Sequence, residues 1–356
     1  MSESPKGVTA MGVSAREVAR LAGVSASTVS RTLTRPESVA PATRDKVYAA
    51  ARDLGYRTAS LEVAPGFVPV RTHTLGLVVP DLENPFFASV TKGVQKRAEL
   101  SGCSVLIADS DEEAGQEATL VRTMAPHVDG LILCSPRTED EEILELARTT
   151  RIVLVNRKVG EVPSVTVDNR DGVRQAVEHL RALGHRRIAY VGGPRESWSE
   201  GRRSAAVAEV AAEHDDVEVV HLGSFRPFVS GGVAAADLAL ASGSSAVLAY
   251  NDLLALGVLE RARQRGVRVP EELSVVGIDN VPVAAMTSPS LTSVEIPRQA
   301  SGRAGVELLL GLLREEAVTV SSRDLAVQLV VRESTGSPDV LASPQFRVPP
   351  PGVSPL

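Results

Sequence analysis

Ser14-AREVARLAGVSASTVSRT-Leu33 carries two short helical patterns joined by a single glycine. Ser14 and Glu17 have capping-box spacing: the serine caps the first turn and the glutamate reaches back to it. Val18, Leu21 and Ala22 follow at helical spacing. Gly23 then ends the helix, because glycine enters a left-handed turn without steric cost. Ser25 provides a second cap, and Val29 and Leu33 share one face of the next helix. Pro41 suits the first position of a third helix, whose apolar stripe is Val47, Ala50, Ala51 and Leu54 and whose stop is Gly55. Helix, glycine turn and helix with almost no spacer is the helix-turn-helix arrangement, although an ordinary small helical bundle shares the local pattern.

If Val29 and Leu33 face inward, Ala26, Ser27, Thr28 and Arg31 face outward. Arg31 has the fork geometry for guanine acceptors, Ser27 can donate or accept, and Ala26 offers a methyl to thymine. Ser25, Thr28 and Ser30 are short hydroxyls suited to phosphates beside a helix N-terminus. Charge agrees with such a head. Residues 1–57 hold nine Lys/Arg against five Asp/Glu, a balance of +4. The whole chain is −6, so the remainder carries −10. A basic head on an acidic body suits a nucleic-acid contact confined to the head, though a chance fluctuation of surface charge has the same appearance.

From Thr74 onward the pattern changes to short apolar runs separated by helical stretches. The runs are 75–81, 104–109, 130–134, 152–156, 187–193, 217–223, 246–252 and 273–279. Continuous apolar strands alternating with helices imply buried parallel sheets, here in two similar lobes with a cleft between them. Ligands in such folds sit at strand C-terminal ends. Asp81, Asn84, Asn156, Asp168, Asn251, Asp252, Asp279 and Asn280 cluster at those ends, where turn chemistry alone also favours Asp and Asn.

At 356 residues the chain exceeds one compact core. No apolar run is long enough to span a bilayer, and the N-terminus lacks a secretory apolar segment, so a cytoplasmic protein is expected. Cys103 and Cys134 fit no metal or redox spacing and read as reduced, buried thiols. The histidines form no HxxxH or HExxH pair, and neither a GxGxxG nor a P-loop is present. No nucleophile–base constellation emerges. No cofactor, no metal and no enzymatic activity are expected. An exported solute-binding protein would share the body but lack the head, and a Rossmann-type enzyme would share the strand-helix alternation.

Residues 13–57 closely resemble the DNA-binding head of the LacI-type (lactose-repressor) family of bacterial transcriptional regulators. The family's EVAxxAGVSxxTVSRxL stretch is present as Glu17 to Leu33, and TRxKVxxAxxxLGY as Thr43 to Tyr56. By that resemblance Ala26, Ser27 and Arg31 occupy base-reading positions, and Ser14, Ser25, Thr28, Ser30 and Thr43 phosphate-contacting ones. The hinge departs from the family pattern: Thr58 and Ala59 stand where Pro-Asn is usual, and Pro65 falls near the usual minor-groove leucine. Leu61 is the candidate wedge. The segments DLENPFFASV (81–90), VTVDNRDGV (165–173), YNDLLALGVL (250–259) and ELSVVGIDN (272–280) resemble the family's regulatory domain, which is similar to periplasmic sugar-binding proteins.

The resemblance implies a multidomain chain: an all-α helix-turn-helix head and an α/β periplasmic-binding-protein-like body of two doubly wound parallel-sheet lobes. The expected divisions are a tail (1–12), the head (13–57), an atypical hinge (58–73), the effector-binding and dimerisation domain (74–336) and a second tail (337–356). Within the body, lobe 1 takes about 74–167 and 295–325, and lobe 2 about 168–294 and 326–336. The effector positions implied are Phe87, Asn156, Arg203, Phe225, Asn251 and Asp279, with Arg202 adjacent to Arg203 and Trp198 as a second possible platform. The partners implied are a near-palindromic double-stranded DNA operator, a second copy in a homodimer, and a small polar effector. A sugar is the leading class; a purine or another polar metabolite stays open. The apolar helix after Asp252 and the stretch from Ala284 to Leu291 are the implied dimer face.

Overall fold

The computed structural model describes residues 14–54, 56, 71–314 and 322–338. Leu61, most of the hinge and nearly all of both tails lie outside the described residues.

The head is three helices, α1 (Ala15–Ala22), α2 (Ala26–Thr34) and α3 (Pro41–Asp53). Gly23 has φ 64° and ends α1, with Val24 N–H donating to Ala19 O at 3.0 Å. Val18, Ala19, Val29, Val47, Tyr48, Ala50 and Ala51 form its core. Leu21 departs from the expected stripe and is 53% exposed. The buried face of α1 runs through Ala15, Val18, Ala19 and Ala22, which places Leu21 to its side.

Residues 71–73 lead into the body pinned at both ends. Arg71 donates to Leu313 O at 2.6 Å, and the Asp129 carboxylate accepts from Thr72 N, Thr72 Oγ1 and His73 N at 2.7–3.0 Å.

The body holds two six-stranded sheets. The first comprises β1 (Thr74–Val79), β2 (Ser104–Asp109), β3 (Gly130–Cys134), β4 (Ile152–Val155), β5 (Ser164–Val167) and β11 (Ser322–Leu325), in the order β11-β5-β4-β3-β1-β2. The second comprises β6 (Arg187–Gly192), β7 (Glu218–Ser224), β8 (Ala246–Ala249), β9 (Ser274–Asp279), β10 (Thr292–Glu295) and β12 (Gln328–Val330), in the order β12-β10-β9-β8-β6-β7. Every pairing is parallel except β10 with β12.

Each sheet is covered on both faces. Helices α4 (Pro85–Glu99), α5 (Ala114–Met124), α6 (Asp140–Thr149) and α11 (Arg298–Leu313) pack on the first, and α7 (Asn169–Ala182), α8 (Trp198–Ala212), α9 (Val229–Ala241) and α10 (Asp252–Gln264) on the second. The chain passes between sheets after β5, after β10 and between β11 and β12. One buried cluster runs through both lobes, from Leu75 and Val90 through Val167 and Val294 to Ile188 and Val207. The last described segment is pinned to the second lobe by the fully buried His185, which contacts Ser245 Oγ, Ser274 Oγ and Gly336 O at 2.8–2.9 Å.

Eight apolar runs read from the sequence coincide with β1–β4 and β6–β9. The other four strands, β5, β10, β11 and β12, mix polar with apolar residues, so no continuous apolar run marks them. Cys134 is buried on β3, where burial pushes its thiol up to about 12; Cys103 is only half-buried. Both thiols are free. Among the described residues, no helix is long and apolar enough to cross a membrane.

Helices α9 and α10 meet backbone to backbone at Gly232 and Gly257. A Cβ at Gly257 would stand 2.1 Å from Val229 O, whereas one at Gly201, exposed in α8, would meet nothing within 4 Å. Gly257→Ala should therefore destabilise the second lobe by about 1–3 kcal/mol through overpacking. Gly201→Ala should gain up to about 1 kcal/mol of helix propensity. Thermal unfolding midpoints that move in opposite directions would bear this out; a midpoint for Gly257→Ala equal to the parent's would contradict the close approach.

Candidate functional site

Two constellations stand apart from the cores. The first is the exposed face of α2. Ser25 caps that helix, accepting the Thr28 N–H at 3.1 Å, and its Oγ lies 2.8 Å from Ser27 Oγ and 2.9 Å from Thr28 Oγ1. Ala26, Ser27, Ser30 and Arg31 are exposed on this face, while Val29 and Thr32 are buried beneath it. Arg31 reaches back along its own helix, with Nε 3.4 Å from Ser27 O. Thr28 and Thr43 are half-buried, the latter in the first turn of α3. Ser14 is exposed, and both its N–H and its hydroxyl donate to one Glu17 oxygen, at 2.7 and 2.9 Å. Those two bonds hold the Glu17 carboxyl below the usual carboxylate range. The helix termini and hydroxyls thus offer donors to anions, and Arg31 and Ser27 share the outer surface between them.

The second constellation is the cleft between the sheets. Its walls are the C-terminal ends of strands from both lobes. From the first lobe come Asn84, Phe86 and Phe87 after β1, Glu112 after β2, Ser135 and Arg137 after β3, and Asn156 after β4. From the second come Arg203 on α8, Pro227 after β7, Tyr250 and Asn251 after β8, and Asp279 at the end of β9. The enclosed space between the walls is about 20 Å³, room for roughly one water molecule.

Backbone strain concentrates here. Seven described non-glycine residues have positive φ, and six of them (Asp111, Glu112, Ser135, Asn156, Asp279 and Asn280) lie at these strand ends. Left-handed backbone costs about 1–3 kcal/mol per residue and persists only where the surroundings hold it. Four of them, Glu112, Ser135, Asn156 and Asp279, line the gap.

Phe87 is buried, packs edge-on against Phe86 with ring centroids 5.1 Å apart, and lines the cleft. Asn156 donates from Nδ2 to Ser135 Oγ at 2.8 Å, and its buried Oδ1 has no partner. Arg203 donates to Asn169 Oδ1 at 3.0 Å and to Tyr250 O at 2.6 Å, lies 4.9 Å from the Tyr250 ring centroid, and places Nη2 3.8 Å from Asp279 Oδ1. Arg202 is exposed and lies 5.7 Å from the Trp198 ring, so the two adjacent arginines divide between surface and cleft. Burial pushes the Asp279 carboxyl up, against the pull of Arg203 and Arg298. Behind it Asp252 is fully buried, accepting Ser293 Oγ at 2.6 Å and Val281 N at 2.8 Å; burial and the neighbouring Asp279 push it up as well.

Two sequence-derived positions differ from expectation. Phe225 is not among the cleft-lining residues: it packs half-buried against the second lobe's core, and Pro227 stands at the wall instead. Trp198 begins α8 and is likewise not among the residues lining the cleft. Asn251 lines the gap, but its side chain is already engaged, accepting Leu254 N at 2.9 Å as the cap of α10 and donating to Pro227 O at 3.3 Å. Glu112, Ser135, Arg137 and Tyr250 escaped the sequence reading. The strand-end rule reaches them, since each lies one to three residues beyond the C-terminal end of a strand. Among the described residues, no group of three His, Cys, Asp or Glu side chains could hold a metal ion.

Comparison with known proteins places this geometry. Residues 8–59 match the profile of bacterial regulatory proteins of the lacI family, and residues 177–335 that of a periplasmic binding protein-like domain. The HTH-type transcriptional repressor CytR of Escherichia coli K12 is 32% identical over 90% of this chain and 95% of its own. The transcriptional regulator CelR in complex with cellobiose is 32% identical, with a TM-score of 0.65 over 90% of this chain and 99% of its own. The lac repressor dimer bound to operator and the anti-inducer ONPF is 27% identical, with a TM-score of 0.68 over 92% of this chain and all of its own. A helix-turn-helix head, two six-stranded sheets and similarity along nine-tenths of its length make this chain a member of the LacI family of bacterial regulatory proteins.

Proposed function

We propose that the protein is a transcriptional repressor whose affinity for operator DNA is set by a carbohydrate bound between the two lobes. The observation that carries this reading is the meeting of donors and acceptors from both lobes in one gap: Asn156 with its unmet acceptor on one wall, Arg203 and Asp279 on the other. A polyol offers hydroxyls that both donate and accept, and Phe87 supplies an apolar surface for a ring face. The CelR–cellobiose complex supports the same class. Drug-sized ligands occupy roughly 300–1,000 Å³, far more than the space described here, so entry requires the lobes to part. The three strand-to-strand passages between sheets would serve as the hinge for that motion.

On the DNA side, α2 lies in the major groove with Ala26, Ser27 and Arg31 on base edges. Ser14, Ser25, Thr28, Ser30 and Thr43 hold phosphates. For Ser14 this requires its hydroxyl to leave Glu17, or the backbone N–H groups of α1 to act in its place. Two heads reading a near-palindrome require a homodimer. The apolar groove of about 470 Å³ lined by Leu256, Leu259, Val267, Val269 and Val283 is the face that a second copy covers. The effector shifts DNA affinity by no more than its own differential affinity for the two conformations.

Arg31→Ala should relax preference at one base position by about 1–3 kcal/mol, read by quantitative selection of DNA from a random pool. An unaltered preference matrix would remove Arg31 from the base-reading set. Asp279→Ala should abolish the effector's influence on DNA affinity while leaving effector-free DNA binding intact. A response equal to the parent's would exclude Asp279 from the effector site.

A further inference from the structure

Arg137 faces the cleft from the first lobe and is 5% exposed. Its guanidinium makes a fork onto Glu112, with Nε donating to Oε2 at 2.8 Å and Nη2 to Oε1 at 3.1 Å. Nη1 donates to Ser135 O at 3.0 Å. Behind it, the buried Glu117 carboxylate accepts the N–H groups of Arg137 and Thr138 and the Thr138 hydroxyl at 2.7–2.9 Å, which fixes the loop. Burial works against the Arg137 charge, but the Glu112 and Glu117 carboxylates outweigh it.

Both cleft-lining arginines therefore have carboxylates close by: Glu112 beside Arg137 and Asp279 beside Arg203. Among the described residues that line the cleft, the buried side-chain atom lacking a partner is Asn156 Oδ1, an acceptor. A ligand suited to these walls donates hydrogen bonds. A phosphate or carboxylate group brings acceptors and a negative charge, and would lie against the carboxylates that already pair with Arg137 and Arg203.

We infer that the Glu112–Arg137 pair fixes the charge class of the effector: the cleft takes uncharged, hydroxyl-bearing molecules and rejects phosphorylated or acidic sugars. This rests on the reading of the cleft as the effector site. Glu112 is the specificity-determining residue. Removing its charge while keeping its shape converts Arg137 into a receptor for anions.

The test compares the full-length parent, Glu112→Gln, Arg137→Gln and Asp279→Ala by calorimetric titration. The probes are ribose, glucose, galactose, cellobiose, ribose 5-phosphate, glucose 6-phosphate and inorganic phosphate. The parent is expected to bind at least one neutral sugar, and to bind the sugar phosphates at least tenfold more weakly. Glu112→Gln should bind inorganic phosphate and the sugar phosphates at least tenfold more tightly than the parent, and Arg137→Gln should show no such gain. A parent that binds a sugar phosphate as tightly as its neutral counterpart overturns the inference, as does a Glu112→Gln protein with no gain for inorganic phosphate. If no neutral sugar binds the parent, the carbohydrate reading fails, and the inorganic phosphate comparison still decides the role of Glu112.

Discussion

Charge pairing inside a narrow gap is the constraint on which the rest of this structure depends. Arg137, Arg203 and Asp279 are buried, and Glu112 is half-buried, where strands from two sheets end. A buried charge without a partner costs several kcal/mol, so each of these groups needs its counterpart close by and correctly oriented. The strand ends supply that orientation by adopting left-handed backbone at Glu112, Ser135, Asn156 and Asp279. Such turns survive only on a rigid base, which the fully covered parallel sheets provide. Asp252 extends the same logic: it caps the loop after β9 through Val281 N, bonds Ser293 on β10, and so braces Asp279 from behind. Arg298, at the start of a helix that packs on the first sheet, donates to the Asp279 carbonyl. The cleft residue is thereby tied to both lobes.

Much of this was legible in the sequence, for reasons that can be named. The head could be read because its signals are local: a cap at Ser14, a glycine at a left-handed position, a second cap at Ser25. Six of the eight apolar strands could be read because a strand buried on both faces leaves a continuous apolar run; the edge strands β2 and β7 are partly exposed and still carry apolar runs. The short strands could not, since Ser164–Val167 and Thr292–Glu295 are mixed in polarity and are defined by neighbours far along the chain. Within the cleft, Asn156, Arg203 and Asp279 were found through family resemblance. Arg137 and Glu112 were not, because their pairing spans 25 residues and two strand ends, a relation that only the folded sheet creates. Phe225 illustrates the opposite limit: an aromatic near a strand end can turn to the core as readily as to the gap.

The functional account couples two surfaces through one conformational equilibrium. The head offers exposed side chains on a capped helix, and the cleft brings together polar groups from both lobes. Under the proposed function, a ligand between the lobes would favour one arrangement, and paired heads on DNA would favour one spacing. Thermodynamic linkage then makes each ligand alter the other's affinity by the same factor. On this reading no direct contact between effector and DNA is needed.

Reciprocal linkage is the most direct test of that account. With an operator selected from random DNA and a neutral sugar that the protein binds, the Kd for operator is measured with and without saturating sugar, and the Kd for sugar with and without saturating operator. The account predicts that both constants change, by a common factor of about ten or more. An operator affinity indifferent to saturating sugar, with sugar affinity equally indifferent to operator, would contradict it.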